Sequence, residues 1–85
     1  MNRKEQLALS ILKNLELGNG RLVRTEILLR IVALELAHLQ VSTTEIRAAL
    51  QTAEDAGQVA SSRDTFENVS YVLTDTGRAL LLSRN

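Results

Sequence analysis

A short polar interruption between two helical patterns constrains this fold more than any other feature of the sequence. The apolar pattern of residues 26–39 stops at "QVST", residues 40–43, and Ser42 is followed three residues later by Glu45. This spacing is a capping box, in which the serine hydroxyl accepts a backbone N–H and the glutamate reaches back to the serine amide. A new helix therefore begins after Ser42, and the three or four residues before it must form a tight turn.

The period of the apolar residues predicts two further helical segments. In residues 3–17 the apolar side chains recur at helical spacing and form one stripe, which "GNG" at residues 18–20 terminates. "RLV" at residues 21–23 is long enough only for a brief strand, and Thr25 is the expected N-cap of the helix over residues 26–39. The stripe of the first helix consists of Leu7, Ala8, Ile11, Leu12 and Leu15.

The helix over residues 26–39 carries two apolar stripes instead of one. The first consists of Ile27, Ile31 and Leu34, and the second of Leu28, Val32, Leu36 and Leu39. A helix that is apolar nearly all round is either central in its domain or shared with a partner chain. The first stripe is therefore a candidate surface for a homodimer or for another protein partner.

The chain after Ser42 predicts a helix, a hairpin and a last helix. The helix covers residues 43–56 and buries the stripe Ile46, Ala49, Leu50 and Ala53. Beyond Gly57 the apolar period changes to two, which predicts strands at about 58–62 and 69–74. Thr74 can cap a helix over about 75–82, from which Ala79, Leu80 and Leu82 would pack back. These elements predict a single domain, residues 1–85, of mainly α structure with a small β-hairpin, in the α+β class.

Two stretches carry a resemblance to a known family. "TTEIRAALQTAEDAGQV", residues 43–59, and "YVLTDTGRALL", residues 71–81, resemble the third helix and the wing exit of winged helix-turn-helix DNA-binding domains. With "EILLRIVALEL", residues 26–36, they are also similar to small winged-helix proteins of Mu-like bacteriophages and prophages, over about three quarters of the chain. The resemblance implies a three-helix core with the hairpin as the wing, and DNA-binding regulation of transcription as the function.

The outward face of the third helix supplies the first candidate DNA-binding residues. Thr43 and Thr44 can contact phosphate, Arg47 can form a bidentate contact with guanine, and Gln51 can pair with adenine. Glu54 and Asp55, near the carboxyl end of the helix, would repel a polyanion. The alternative interpretation of this face is an ordinary solvated helix surface.

Further candidates lie in the wing and near the amino terminus. Arg63 at the wing tip can reach phosphates, although Asp64 and Glu67 flank it. Arg21 and Arg24 could supply further phosphate contacts, because residues 1–24 hold five basic residues against two acidic ones. Phe66 could act as a wedge into a groove, and more often such a residue anchors its loop onto the hairpin.

Composition narrows the classes of function. The chain has no Cys, a single His38 and no glycine-rich phosphate loop, so we expect no metal, no cofactor and no enzyme activity. No stretch approaches the length of a membrane span, so a cytoplasmic location without membrane contact is expected. Ten basic residues balance ten acidic ones, whereas a dedicated DNA binder usually has a basic excess.

Two functions remain open from the sequence. The first is a small phage-type transcriptional regulator that binds double-stranded DNA as a homodimer through the third helix and the wing. The second is a winged-helix module for protein interaction or assembly that does not bind DNA. A continuous positive strip across the third helix and wing would favour the first, and a mottled surface with an apolar groove would favour the second.

Overall fold

The computed structural model describes residues 1–84 and has the α+β architecture expected from the sequence. Four α-helices accompany a small antiparallel sheet, and no helix in this part of the chain is long and apolar enough to cross a bilayer. The elements in chain order are α1 (Arg3–Leu17), β1 (Val23–Arg24), α2 (Thr25–Glu35), a 3-10 turn (Ala37–Leu39), α3 (Thr43–Asp55), β2 (Val59–Arg63), β3 (Val69–Leu73) and α4 (Asp75–Ser83). All predicted boundaries lie within one residue of these except two, the end of α2 and the start of the short first strand.

The sheet has the strand order β1-β3-β2, with both pairs antiparallel. Val23 pairs with Tyr71 at one edge, and Ser61 pairs with Tyr71 at the other. Because side chains alternate across a strand, Val59, Ser61 and Arg63 of β2 share one face of the sheet. Val59 and Leu73 are buried on that face, which therefore packs against the helices.

The core lies between α1, α2 and α3 and is closed by the sheet. It is built almost wholly from Leu, Ile and Val, because the chain has one Phe, one Tyr and no Trp. Of the two stripes of α2, the one with Leu28 and Val32 faces inward. The largest fully buried side chains are Ile11, Leu12, Leu15, Leu28, Ile46, Leu50 and Val32.

Hydrogen bonds at the helix starts confirm two predicted caps and correct a third. The hydroxyl of Ser42 accepts from the Glu45 amide at 3.1 Å, and that of Thr74 accepts from the Gly77 amide at 3.1 Å. Thr25 was expected to be an N-cap, which is wrong, because it is the first residue of α2 and Arg24 is the cap. The Thr25 hydroxyl instead donates to the Val69 carbonyl at 2.6 Å, so it joins α2 to β3.

The second helix is shorter than predicted. The α-helical geometry stops at Glu35, and the predicted remainder forms the 3-10 turn that ends at Gln40, whose φ of 52° is left-handed. Leu36 is buried, and Leu39 and Val41 are half-buried against the core. Burying all three within the short connection to α3 requires the chain to leave the regular helix, which a periodic pattern does not show.

The last helix also packs with a different face from the predicted one. Gly77 is buried, and Leu80 and Leu81 pack against the core. Ala79 and Leu82, which were expected to pack back, are exposed, Leu82 by 64%. The close approach of Gly77 to the Gln58 carbonyl determines which face of α4 packs inward, because only a residue without Cβ fits at that contact.

Candidate nucleic-acid interface

The outer face of α3 is uncovered. Thr43, Thr44, Arg47 and Gln51 are exposed, as the buried stripe of this helix predicts, and Ala48 among them is exposed too. The inward residues are Ile46, Leu50 and Ala53, with Ala49 half-buried. The side of α3 opposite its buried stripe is therefore accessible to a ligand.

Glu45, the only acidic residue in the first two turns of α3, is neutralised by an ion pair. Arg3 of α1 forms a salt bridge with Glu45 through two contacts, one of which joins Nη2 and Oε1 at 3.0 Å. The hydrogen bond from Arg3 is the largest cause that lowers the pKa of the Glu45 carboxyl, and the Ser42 amide adds a smaller effect in the same direction. Glu45 therefore does not present a free negative charge beside Arg47.

Lys4 is a cation near this face that periodicity could not have assigned to it. It lines a groove of about 340 Å³ between α1 and α3, together with Ala48 and Thr52. Lys4 and Arg47 have no ion-pair partner within residues 1–84. One side of the exposed face of α3 is thus bordered by Lys4 and the other side by Arg47.

The carboxyl-terminal turn of α3 carries Glu54 and Asp55, the two acids that would repel a polyanion. Asp55 accepts a hydrogen bond from the Gln51 side-chain amide at 2.9 Å, and Glu54 accepts one from the Ser61 hydroxyl at 2.6 Å. Both carboxylates are therefore engaged within the domain. Gln51 must release Asp55 before its amide can contact another group.

The β2–β3 ribbon places a second cation on the α3 side of the sheet. Arg63 lies on the same face of β2 as Ser61, which contacts α3 through Glu54. Arg63 is exposed and forms no ion pair with any described residue. Tyr71 lies on this face as well, and its pKa is raised first by burial and then by the negative charge of Glu54.

Three of the five basic residues in residues 1–24 pair with acids from elsewhere, and both acids of the segment pair with bases from elsewhere, so the expected excess of three charges falls to two. Lys13 pairs with Glu35 at 3.5 Å, and Arg24 pairs with Glu26 at 3.7 Å. Together with the Arg3 contact, these ion pairs leave two cations of the segment without a counter-ion in the described chain, Lys4 and Arg21. The pairs of Arg3 and Lys13 form because α1 packs against α3 and α2, whose acidic residues meet the basic residues of α1.

The loop between β2 and β3 projects Phe66 into solvent. This side chain is 84% exposed, so the expectation that it anchors its loop onto the hairpin is wrong. The carboxylate of Asp64 holds the loop instead, because it accepts from the amides of Phe66 and Asn68 at 2.8 and 2.9 Å. The pKa of Asp64 is lowered, first by the Asn68 amide and least by the charge of Arg24.

The first stripe of α2 is exposed, as its assignment to a partner surface requires. Ile27, Ile31 and Leu34 are exposed by 49%, 37% and 72%. Arg30 beside them has no ion-pair partner in the described part of the chain. His38 is exposed in the 3-10 turn, and residues 1–84 contain no cluster of acidic or His side chains that could hold a metal ion.

No protein-family model, curated protein or solved structure matches this chain. The geometry of residues 1–84 therefore carries the functional proposal.

Proposed function

We propose that this chain is a winged-helix protein that binds double-stranded DNA through the first two turns of α3 and the β2–β3 ribbon. The element order and the strand order β1-β3-β2 support the winged-helix arrangement, with the ribbon as the wing and α3 as the second helix of a helix-turn-helix pair. The sequence resemblance to small phage and prophage proteins supports a role in regulating transcription.

The observation that carries the proposal is the electrostatic character of the first two turns of α3. Their exposed face holds two threonines, Arg47 and the small Ala48, with Lys4 on the α1 side and Arg63 on the ribbon side. The only acid of these turns, Glu45, is paired with Arg3. The amino end of a helix also carries a positive partial charge, which attracts phosphate.

The dimensions of the helix account for the acids at its other end. From Thr43 to Gln51 the axis rises about 12 Å at 1.5 Å per residue, close to the width of the major groove. A helix that enters the groove by its amino end keeps Asp55 outside. Ala48, at the centre of the entering surface, allows close approach to the bases.

The test is duplex DNA binding, measured by fluorescence anisotropy at several salt concentrations. We expect the logarithm of the association constant to fall linearly with the logarithm of salt concentration, because bound phosphates release counterions. Substituting Lys4→Ala together with Arg63→Ala should reduce the magnitude of this slope by about two, one for each lost phosphate contact. Arg47→Ala with Gln51→Ala should abolish preference among sequences.

Arg30→Ala is the matched control, because Arg30 is also exposed and without an ion-pair partner but lies on α2. It should leave both affinity and slope unchanged. Full affinity in the Arg47→Ala, Gln51→Ala double variant would remove α3 from the role proposed for it.

A second candidate function rests on the exposed stripe of α2. The stripe is a row of three large aliphatic side chains, each more than a third exposed, and contiguous apolar patches mark protein contact sites. The zero net charge of the chain is compatible with this module for protein interaction. If the folded protein bound no duplex at low salt, this second function would replace the first.

A further inference from the structure

We propose that two copies of this chain associate about a two-fold axis, each inserting Phe66 against the apolar side chains of a surface pocket of the other. The pocket, here called the β1 pocket, lies beside the first strand and is open to solvent, with a volume of about 550 Å³. Its apolar lining is Leu17, Leu22, Val23 and Ile27, and its polar lining is Gly18, Asn19, Arg21 and Arg24.

Phe66 is the inserting side chain because the loop presents it in a fixed shape. Besides the two bonds to the Asp64 carboxylate, the Glu67 amide donates to the Asp64 carbonyl at 3.0 Å and the Asp64 amide donates to the Asn68 carbonyl at 3.1 Å. A loop held by four hydrogen bonds loses little conformational entropy when it docks. Phe66, at 84% exposure, is thus a large aromatic side chain that the single chain does not cover.

The β1 pocket offers apolar surface that is equally without cover. Leu17 is 75% exposed, Leu22 is 53% exposed and Ile27 is 49% exposed. These side chains line one pocket, so they are neighbours and not scattered surface residues. The pocket volume of about 550 Å³ exceeds that of a phenylalanine side chain, so there is room for the ring.

Charge complementarity identifies a second copy of the chain as the occupant. Phe66 is flanked by two acids, Asp64 and Glu67, and the rim of the β1 pocket carries two bases, Arg21 and Arg24. Within residues 1–84 Arg21 and Glu67 have no ion-pair partner. Insertion of Phe66 brings the acidic flank of one copy against the basic rim of the other.

The position of the loop relative to the pocket makes the exchange reciprocal. β1 is an edge strand, and its Arg24 pairs with Ser70, two residues after the end of the loop at Asn68. The loop and the pocket rim therefore lie at the same end of the sheet. A two-fold axis beyond that end lets both insertions occur together, which is the closed, isologous form of contact.

The contact buries a small area. A buried aromatic side chain removes ~150 Å² from water, so two rings and their pocket walls bury on the order of 600 Å² of apolar surface. This is below the total area of about 1,200 Å² at which stable complexes begin, so we expect a weak dimer that dissociates on dilution. The exposed face of α3 lies outside the contact, and association is therefore measured in the absence of DNA.

Sedimentation equilibrium of the full chain without DNA, over a series of protein concentrations, tests the proposal. We expect a monomer–dimer equilibrium for the unchanged chain and a dissociation constant at least tenfold higher for Phe66→Ala. Leu82→Ala is the matched control: Leu82 is an exposed aliphatic residue at 64%, but it lies on α4, outside the pocket. It should leave the equilibrium unchanged, and equal thermal midpoints by circular dichroism should show that both variants fold.

A charge exchange tests the proposed orientation. Arg21→Glu and Glu67→Arg should each weaken the dimer, and the two together should restore it, because the pair is re-formed with reversed sign. A chain that stays monomeric at every concentration overturns the proposal, as does a dimer that Phe66→Ala leaves intact. Assemblies that grow beyond two copies overturn the reciprocal arrangement. Loss of DNA binding has no bearing on these outcomes.

Discussion

A single methyl group added at Gly77 should lower the free energy of unfolding, because it would meet backbone and side-chain atoms at close range. A Cβ there would lie 2.1 Å from the carbonyl oxygen of Gln58 and 2.8 Å from Cδ1 of Leu73. The Gln58 carbonyl cannot retreat freely, because it accepts from the Thr74 amide at 3.1 Å. The Thr74 hydroxyl in turn donates to the Gly57 carbonyl at 2.6 Å, so the start of α4 and the start of β2 move together or not at all.

The net effect of Gly77→Ala follows from two opposed contributions. Alanine in a helix is favoured over glycine by about 1 kcal/mol. Overpacking in a rigid surrounding costs typically 1–3 kcal/mol, and the contact with backbone puts this site at about the upper limit. We expect a decrease of about 2 kcal/mol in the free energy of unfolding, and a lower thermal midpoint by about 8–16 °C for a domain of this size.

Urea unfolding followed by far-ultraviolet circular dichroism measures this change. Thr76→Ala is the matched control, since Thr76 is exposed on the same helix and its replacement adds no atoms. The control should change the free energy of unfolding by less than about 0.5 kcal/mol. A Gly77→Ala variant as stable as the unchanged chain would refute the close approach of α4 to Gln58.

Two other consequences of the contacts around α3 can be measured. Ser42→Ala should lower the free energy of unfolding by about 1 kcal/mol in the same urea assay, because the Glu45 amide loses its cap; an unchanged midpoint would contradict the cap. The pKa of Glu45 is lowered in the folded chain from its ordinary value of 4.5, chiefly by the hydrogen bond from Arg3. Its contribution to stability is therefore present above pH 4.5 and is lost as the pH falls through the lowered pKa. The difference in urea midpoint between the unchanged chain and Glu45→Gln should shrink over that range, and a difference independent of pH would speak against the ion pair.

Local patterns in the sequence were enough for the elements and for much of the candidate site. The capping box at Ser42 marked the start of α3, and the spacing of Ile46 and Leu50 indicated which side of that helix is buried. The outward position of Arg47 follows from the same spacing, because the helical period relates every residue of one helix to its neighbours. The two stripes of α2 were likewise readable, and the exposure of Ile31 and Leu34 agrees with them.

Only the tertiary structure decided which charges are free and which large side chains lack cover. Arg3 and Glu45 are 42 residues apart in the chain, so no local period relates them, and yet their ion pair neutralises the one acid in the first two turns of α3. The hydroxyl of Thr25 likewise donates to the carbonyl of Val69, which is distant in the sequence, and not to a group of its own helix. Exposure of Phe66 depends on loop bonds to Asp64 that periodicity does not encode. Short-range periods determine the faces of single elements, whereas pairing between elements depends on how those faces meet in space.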